Sequence, residues 1–140
     1  MVDCIIAGLK AYIQACPLFN EIGGYDIDWN ENTPDSCGIF PESDTEVSEP
    51  YINGNQERQY TATVQISKVT RTDAERLENS AFLERLQRWF DRQEVLPEMP
   101  EGCTPNYITA DNGMLFELDE NGSKGVYQLQ ISLNYNMKER

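Results

Sequence analysis

The side chains of this chain that could do covalent or metal chemistry are four cysteines and many carboxylates. The cysteines are Cys4, Cys16, Cys37 and Cys103. They form no Cys-x-x-Cys pair, so the spacing predicts neither a zinc knuckle nor a dithiol redox site. The chain contains no histidine, which removes Ser-His-Asp and Cys-His catalytic pairs and the usual zinc ligand sets. We therefore expect no enzyme, no metal and no cofactor.

Two short segments imitate ligand-binding motifs. Residues 26–32 start like a calcium-binding loop, but Glu31 occupies the sixth position, where the loop needs glycine, and Cys37 occupies the twelfth, where it needs glutamate. Residues 122–125 are rich in glycine but lack the spacing of a phosphate-binding loop, and two acidic residues precede them. These differences predict a strand for the first segment and a turn for the second.

The net charge is strongly negative. Across 140 residues, 24 Asp and Glu stand against 11 Lys and Arg, which gives a net charge of −13. That charge argues against binding to nucleic acid or to an anionic membrane. No stretch approaches the roughly 20 apolar residues of a membrane span, and the first residues lack the pattern of a signal peptide. We expect one domain over residues 1–140, in the cytoplasm, with reduced cysteines.

The charge is unevenly distributed along the chain. Between Lys10 and Arg58 there is no basic residue, and ten acidic residues occur. Residues 73–93 hold five acidic residues against four arginines. One half of the chain is therefore acidic and the other nearly balanced.

The N-terminal half is predicted to contain a helix, short strands and a long hairpin. Apolar residues recur at helical spacing from Val2 to Cys16, and Pro17 should end that helix. Residues 25–29 and 37–40 are predicted to form short strands. Residues 45–52 and 56–68 flank an Asn-Gly turn signal, which predicts a hairpin. Pro50 lacks an N–H, so its strand is expected at an edge.

The second helix is predicted to start at a capping box formed by Thr72 and Glu75. Leu77 and Ala81 point away from the later apolar stripe around Leu86. One straight helix would therefore expose either that pair or the stripe. The pattern therefore predicts a break at Asn79-Ser80.

The last third is predicted to contain three strands, at residues 107–109, 114–118 and 126–136, with a turn over 119–124. The final strand alternates apolar with uncharged polar residues, so one face should cover the helices. The predicted fold class is α+β: a mostly antiparallel sheet with an N-terminal helix and a broken second helix packed on one face, and a long protruding β-hairpin.

Several local strings, in this order of elements, resemble the tail terminator (tail completion) proteins of long-tailed bacteriophages. The matching runs are Leu9-Lys10-Ala11-Tyr12, Cys16-Pro17-Leu18, Tyr51-Ile52-Asn53-Gly54, Arg58-Gln59-Tyr60, Leu77-Glu78-Asn79-Ser80-Ala81-Phe82 with Trp89, Gly102-Cys103-Thr104-Pro105, Gly113-Met114-Leu115-Phe116 and Tyr127-Gln128-Leu129-Gln130. They span nearly the whole chain, and agreement is poorest at residues 20–35.

The resemblance implies a subunit of a homo-oligomeric, hexameric ring that caps the tail tube protein and stops tube growth. It also implies that the ring docks the head-completion protein and that genomic DNA passes through the lumen without specific binding. No membrane is involved, and the protein would be assembled in the host cytoplasm and reside in the virion tail or neck.

A ring needs a head-to-tail contact, and we expect an acidic arm at residues 41–50 to meet a neighbour's arginines. The subunit-interface candidates are Glu42, Asp44, Glu46, Glu49, Tyr51, Asn53, Gly54, Asn55, Arg58, Arg85, Arg88 and Arg92. The alternative interpretation is that both the arm and the arginine stripe are simply solvated surfaces.

Two other functions stay open at the level of sequence. One is another ring of the phage neck, such as a head-tail adaptor. The two functions can be distinguished, because loss of a terminator gives overlong tubes and loss of an adaptor does not. The second is an acidic DNA mimic that inhibits a host enzyme. Mimics need carboxylates spaced along rigid helices, whereas the acidic residues here crowd predicted loops and strands.

Overall fold

The computed structural model describes residues 2–19, 24–27, 35–46 and 55–138, and their fold is α+β. In chain order the elements are α1 (Ile5–Gln14), a short 3₁₀ turn (Pro17–Phe19), β1 (Gly24–Ile27), β2 (Ser36–Glu46), β3 (Asn55–Val69), α2 (Asp73–Asp91), β4 (Cys103–Leu118) and β5 (Lys124–Lys138). The two helices and the sheet confirm the predicted fold class.

The sheet has the strand order β1-β2-β3-β5-β4. The four long strands pair antiparallel, and only the short β1 pairs parallel, with β2. In the centre of the sheet, Ile39 lies opposite Val64 and Val64 lies opposite Leu129. β4 is therefore one margin of the described sheet.

Both helices bury their apolar residues against one face of this sheet. Leu9 and Ile13 of α1 and Leu86 and Phe90 of α2 are buried in the core. They pack with the alternate apolar residues of the central strands, which are Ile39, Ala62, Val64, Ile66, Tyr127, Leu129, Ile131, Leu133 and Tyr135. From Tyr127 to Leu133 buried apolar residues alternate with less buried polar ones, which confirms the predicted core-facing side of β5.

α1 follows the predicted apolar stripe, and the chain leaves the helix before Pro17. Its Gly8 is required by close packing, because a Cβ there would overlap the carbonyl oxygen of Glu98. Farther along α1, the ring of Tyr12 lies 5.3 Å from that of Trp89, centroid to centroid. The hydroxyl of Tyr12 donates to the carbonyl oxygen of Val95 at 2.7 Å. These contacts join α1 to α2 and to the segment that follows it.

α2 is one continuous helix, so the predicted break at Asn79-Ser80 is wrong. The capping box at its start is confirmed, since Thr72 and Glu75 exchange side-chain and backbone hydrogen bonds. Asn79 does not cap a second piece. It is buried, and its Nδ2 donates to the carbonyl oxygen of Val69 at 2.9 Å and to the hydroxyl of Tyr127 at 3.4 Å. Because the helix is continuous, Leu77 points away from the core, and it is 71% exposed.

Two strands are longer than predicted because irregular pairing joins segments that were expected to be separate. The strand at 37–40 continues to Glu46 through a register shift between Pro41 and Ser43. The two strands predicted at 107–109 and 114–118 form the single strand β4, with shifts on both sides of the Met114 region. Asn112 supplies the positive φ, 56°, that this irregularity needs. The turn after β4 is confirmed by a hydrogen bond from the Ser123 N–H to Asp119.

The hairpin between β2 and β3 is confirmed by its antiparallel pairing, which extends to Glu46 opposite Arg58. Its expected tip at Asn53-Gly54 and the edge expected at Pro50 lie outside the described residues. The strand predicted at 25–29 is present over Gly24–Ile27, and its remainder lies outside them as well. Neither helix in the described part is long and apolar enough to cross a membrane.

Candidate interaction surfaces

The first candidate surface is a cationic groove on α2. Arg85, Arg88 and Arg92 line one groove of about 420 Å³ together with Trp89. Leu18, just after α1, lines the same groove. The structure thus brings together the three arginines that the sequence placed on one face of the helix. It also adds an apolar wall, formed by Leu18 and Trp89, that the sequence pattern did not show.

The arginines of this groove are only loosely paired within the chain. Arg85 lies 3.3 Å from Glu78 and Arg88 lies 3.9 Å from Glu84, and all four side chains are exposed. Exposed pairs of this kind contribute about 0–1 kcal/mol. Arg92 has no side-chain partner among the described residues. The groove therefore keeps positive charge that an acidic partner could use.

The acidic arm has a different arrangement, because one of its carboxylates is bound within the chain. Arg58 Nε lies 3.1 Å from Asp44 Oδ1, and Arg58 Nη2 donates to the carbonyl oxygen of Asp44 at 2.9 Å. The hydroxyl of Tyr135 donates to the same carboxylate. Burial and then this hydrogen bond raise the pKa of Tyr135 well above its usual value. Two interface candidates, Asp44 and Arg58, thus form one internal cluster that anchors the arm to β5.

The face of the sheet opposite the helices carries a hydrogen-bonded layer of amides, hydroxyls and two carboxylates. Thr63 donates to Glu42. Asn134 donates to Glu57 at 2.9 Å, and Asn106 donates to the Asn134 side chain at 2.8 Å. These bonds link all four long strands through mostly uncharged groups. Such a face can meet water or a macromolecule without attracting phosphate.

The remaining interface candidates lie at or beyond the ends of the hairpin strands. Asn55 begins β3 opposite Lys138, and Glu46 ends β2 opposite Arg58. The other candidates, Glu49, Tyr51, Asn53 and Gly54, lie outside the described residues. Within the described part, neither Glu42 nor Asp44 pairs with the arginines of the groove.

Sequence reasoning missed a second candidate surface at the margin strand β4. All eight residues from Asp111 to Leu118 are exposed, and they include Met114 at 52% and Phe116 at 53%. Leu115 and Leu118 are exposed as well. The apolar run itself predicted a strand, but only the strand order shows that this strand has no neighbour on one side among the described residues.

No feature of the described residues points to catalysis. No group of three or more Cys, Asp or Glu in this part of the chain could hold a metal ion. Burial, and then the charge of Asp44, raise the pKa of the Cys103 thiol. A reactive cysteine needs the opposite shift, toward the thiolate.

Comparison of the chain with protein-family models and with curated proteins gives no match. Any functional assignment therefore depends on the fold, on the two candidate surfaces and on the local strings quoted above.

Proposed function

We propose that this chain is the subunit of a phage tail terminator ring, which caps the tail tube, stops its growth and docks the head-completion protein. The proposal starts from the resemblance of local strings to that family. The observation that carries it further is the cationic groove of Arg85, Arg88 and Arg92 in a chain whose net charge is −13. A positive groove and an acidic arm on one subunit are unlike surfaces, as a head-to-tail ring requires.

In this proposal, the acidic arm of one subunit binds the arginine groove of the next. Asp44 holds the arm in place within its own chain, through Arg58 and Tyr135. The contact between subunits is then assigned to the acidic residues farther along the arm, Glu46 and Glu49. Guanidinium groups bind carboxylates in paired hydrogen bonds, and the apolar wall formed by Trp89 excludes water around them.

Passage of DNA is compatible with this charge distribution. The polar sheet face presents amides and hydroxyls, and no cluster of lysines occurs on it among the described residues. An acidic ring repels phosphate, so DNA would not adhere to it during ejection. The same layout disfavours the DNA-mimic alternative, because arginines are interspersed among the acidic residues of α2. Three of those acidic residues, Asp73, Glu78 and Glu84, pair with arginines of the same helix.

The test is electron microscopy of tails made by a phage that lacks this gene. Overlong tubes, restored to normal length by the wild-type protein, are the expected result. Tubes of normal length that fail to join heads would instead identify a neck adaptor and overturn the proposal. Complementation by the Arg71→Glu variant should also restore the normal length, since this exposed arginine lies outside the groove.

A further inference from the structure

The β4 margin of the sheet has the properties of a binding surface that the arginine groove does not use. Large exposed apolar side chains scattered singly are ordinary, but four of them within the five residues from Met114 to Leu118 form a patch. An edge strand also leaves N–H and C=O groups on its free side available to a partner. On β4 one of them, the Ala110 N–H, donates to Asp91 at 3.3 Å, so the available stretch begins after Ala110. Apolar side chains and free backbone groups together are what an added strand recognises.

The bulged region of β4 adds a pocket for a side chain. A groove of about 370 Å³ lies between α2 and β4, next to Met114 and Leu115. Its walls include Leu83 and Gln87 of α2. Peptides that extend a sheet take their affinity from main-chain hydrogen bonds and their specificity from pockets for alternate side chains. This groove is placed to receive one such side chain.

The charges beside this edge indicate the chemistry of its partner. Residues 101–124 contain five acidic residues against one basic residue, Lys124, which lies close to Asp119. Arg76, the basic residue that lines this groove between α2 and β4, is paired with Asp73, with 3.0 Å between Arg76 Nη1 and Asp73 Oδ1. An acidic edge favours a partner segment with basic residues.

The same charges argue against a second copy of this chain as the partner. Apart from the short β1, which ends the sheet on the other side, the other uncovered strand margin among the described residues is β2 at 40–46, because β1 pairs only with residues 36–39. That margin carries Glu42 and Asp44. A symmetric antiparallel pair of β4 strands centred on Met114 would place Asp111 opposite Glu117. Like charges directly opposite each other destabilise a strand pair.

We propose that the β4 edge is a strand-addition site for an extended segment of a different protein, in which apolar residues alternate with Lys or Arg. The site takes no part in the arm-to-groove contact, so the two proposals can fail separately.

The probe is a fluorescent peptide of about ten residues that alternates valine with lysine. We expect saturable binding to the full-length protein, at least about tenfold weaker when the peptide is N-methylated on the backbone groups of one edge. A peptide that alternates valine with glutamate should bind at least about tenfold more weakly than the lysine peptide. Raised salt should weaken binding of the lysine peptide.

Variants locate the site. Phe116→Ser combined with Leu118→Ser should reduce the affinity at least about tenfold, whereas Leu77→Ser combined with Val95→Ser is the matched control, because those two side chains are still more exposed but lie outside β4. Circular dichroism checks that each variant is folded.

Three results would overturn the proposal. They are absence of peptide binding, equal binding of the valine-glutamate peptide, and self-association through β4. The last would appear in sedimentation as a concentration-dependent dimer that the Phe116→Ser, Leu118→Ser variant lacks.

Discussion

The phenolic hydroxyl of Tyr135 donates to both carboxylate oxygens of Asp44, at 2.8 and 2.9 Å, although the two residues are 91 positions apart in the chain. Tyr135 is fully buried and ends the row of core side chains on β5. Asp44 reaches it because the register shift after Pro41 changes which residues of β2 face the helices. Before the shift these are odd-numbered residues such as Ile39, and after it they are even-numbered residues such as Asp44. This contact, together with Arg58, fixes the base of the acidic arm to the core.

Removing the acceptor of this contact should destabilise the protein. Asp44→Ala leaves the buried Tyr135 hydroxyl without its acceptor, whereas Arg58 keeps its hydrogen bonds to the carbonyl oxygen of residue 44 and to Gln56. We expect the substitution to lower the free energy of unfolding by about 1–3 kcal/mol. Tyr135→Phe should cost less, because it removes the buried hydroxyl itself and leaves the part-exposed Asp44 carboxylate paired with Arg58. Urea denaturation measures both, with Glu120→Ala as the exposed control. The double variant should lose less than the sum of the single variants, and strict additivity would contradict the coupling.

The stability of the fold should fall at alkaline pH. Burial, and then the charge of Cys16, raise the pKa of Tyr12 to about 12, against about 10 in an unfolded chain. The native state therefore holds this proton more tightly, so the stabilisation is complete below about pH 10 and is lost as the pH rises toward 12. Tyr12→Phe should flatten the decline in unfolding free energy over this range. An unchanged slope in the variant would show that Tyr12 does not titrate as stated.

The continuous helix α2 makes a prediction that separates Asn79 from its neighbour. Asn79→Ala removes the donor to the Val69 carbonyl and should cost about 1–3 kcal/mol of unfolding free energy. Ser80→Ala should cost nothing or stabilise by up to about 0.5 kcal/mol, because Ser80 is exposed and alanine is the better helix former. Thermal or urea unfolding measures both. If Ser80 were a helix cap, its replacement would instead cost about 1 kcal/mol.

If the proposed arm-to-groove contact forms, the arginine groove should control the binding of subunits in a salt-dependent way. Arg85→Glu combined with Arg88→Glu should weaken binding of the subunit to tube ends at least about tenfold at an ionic strength of about 0.05 M, and less at high salt, because screening shortens the range of the repulsion. Occupancy of tube ends can be counted by electron microscopy. Arg71→Glu reverses one charge of the same kind at an exposed position outside the groove and should have little effect. Equal occupancy for both variants would exclude the arm-to-groove contact.

The helices and the central strands were predictable from the sequence because their patterns are local. The stripe of α1, the capping box at Thr72 and the alternation of β5 each involve neighbouring residues that share one face. The break assigned to Asn79 failed because the alternative partner of that amide, the Val69 carbonyl, lies on another element. Propensity favoured a cap there, and a tertiary hydrogen bond prevailed.

The candidate surfaces were predictable only in part. Helical spacing placed Arg85, Arg88 and Arg92 on one side of α2, but Leu18 joins them through the packing of α1, which spacing does not encode. The pairing of Asp44 with Arg58 depends on a bulge, and bulges leave no periodic signal. The exposure of Phe116 depends on strand order, because the same apolar run would be buried in a central strand.

The bulge at Glu42 determines which residues of β2 beyond it lie on each face of the sheet. Because side chains alternate with a period of two, the gain or loss of one residue in the segment leading up to Asp44 would swap which carboxylates point toward Tyr135 and which point away from the helices. A change of two residues would preserve both sets. Insertions and deletions tolerated in that segment during evolution should therefore occur in even steps.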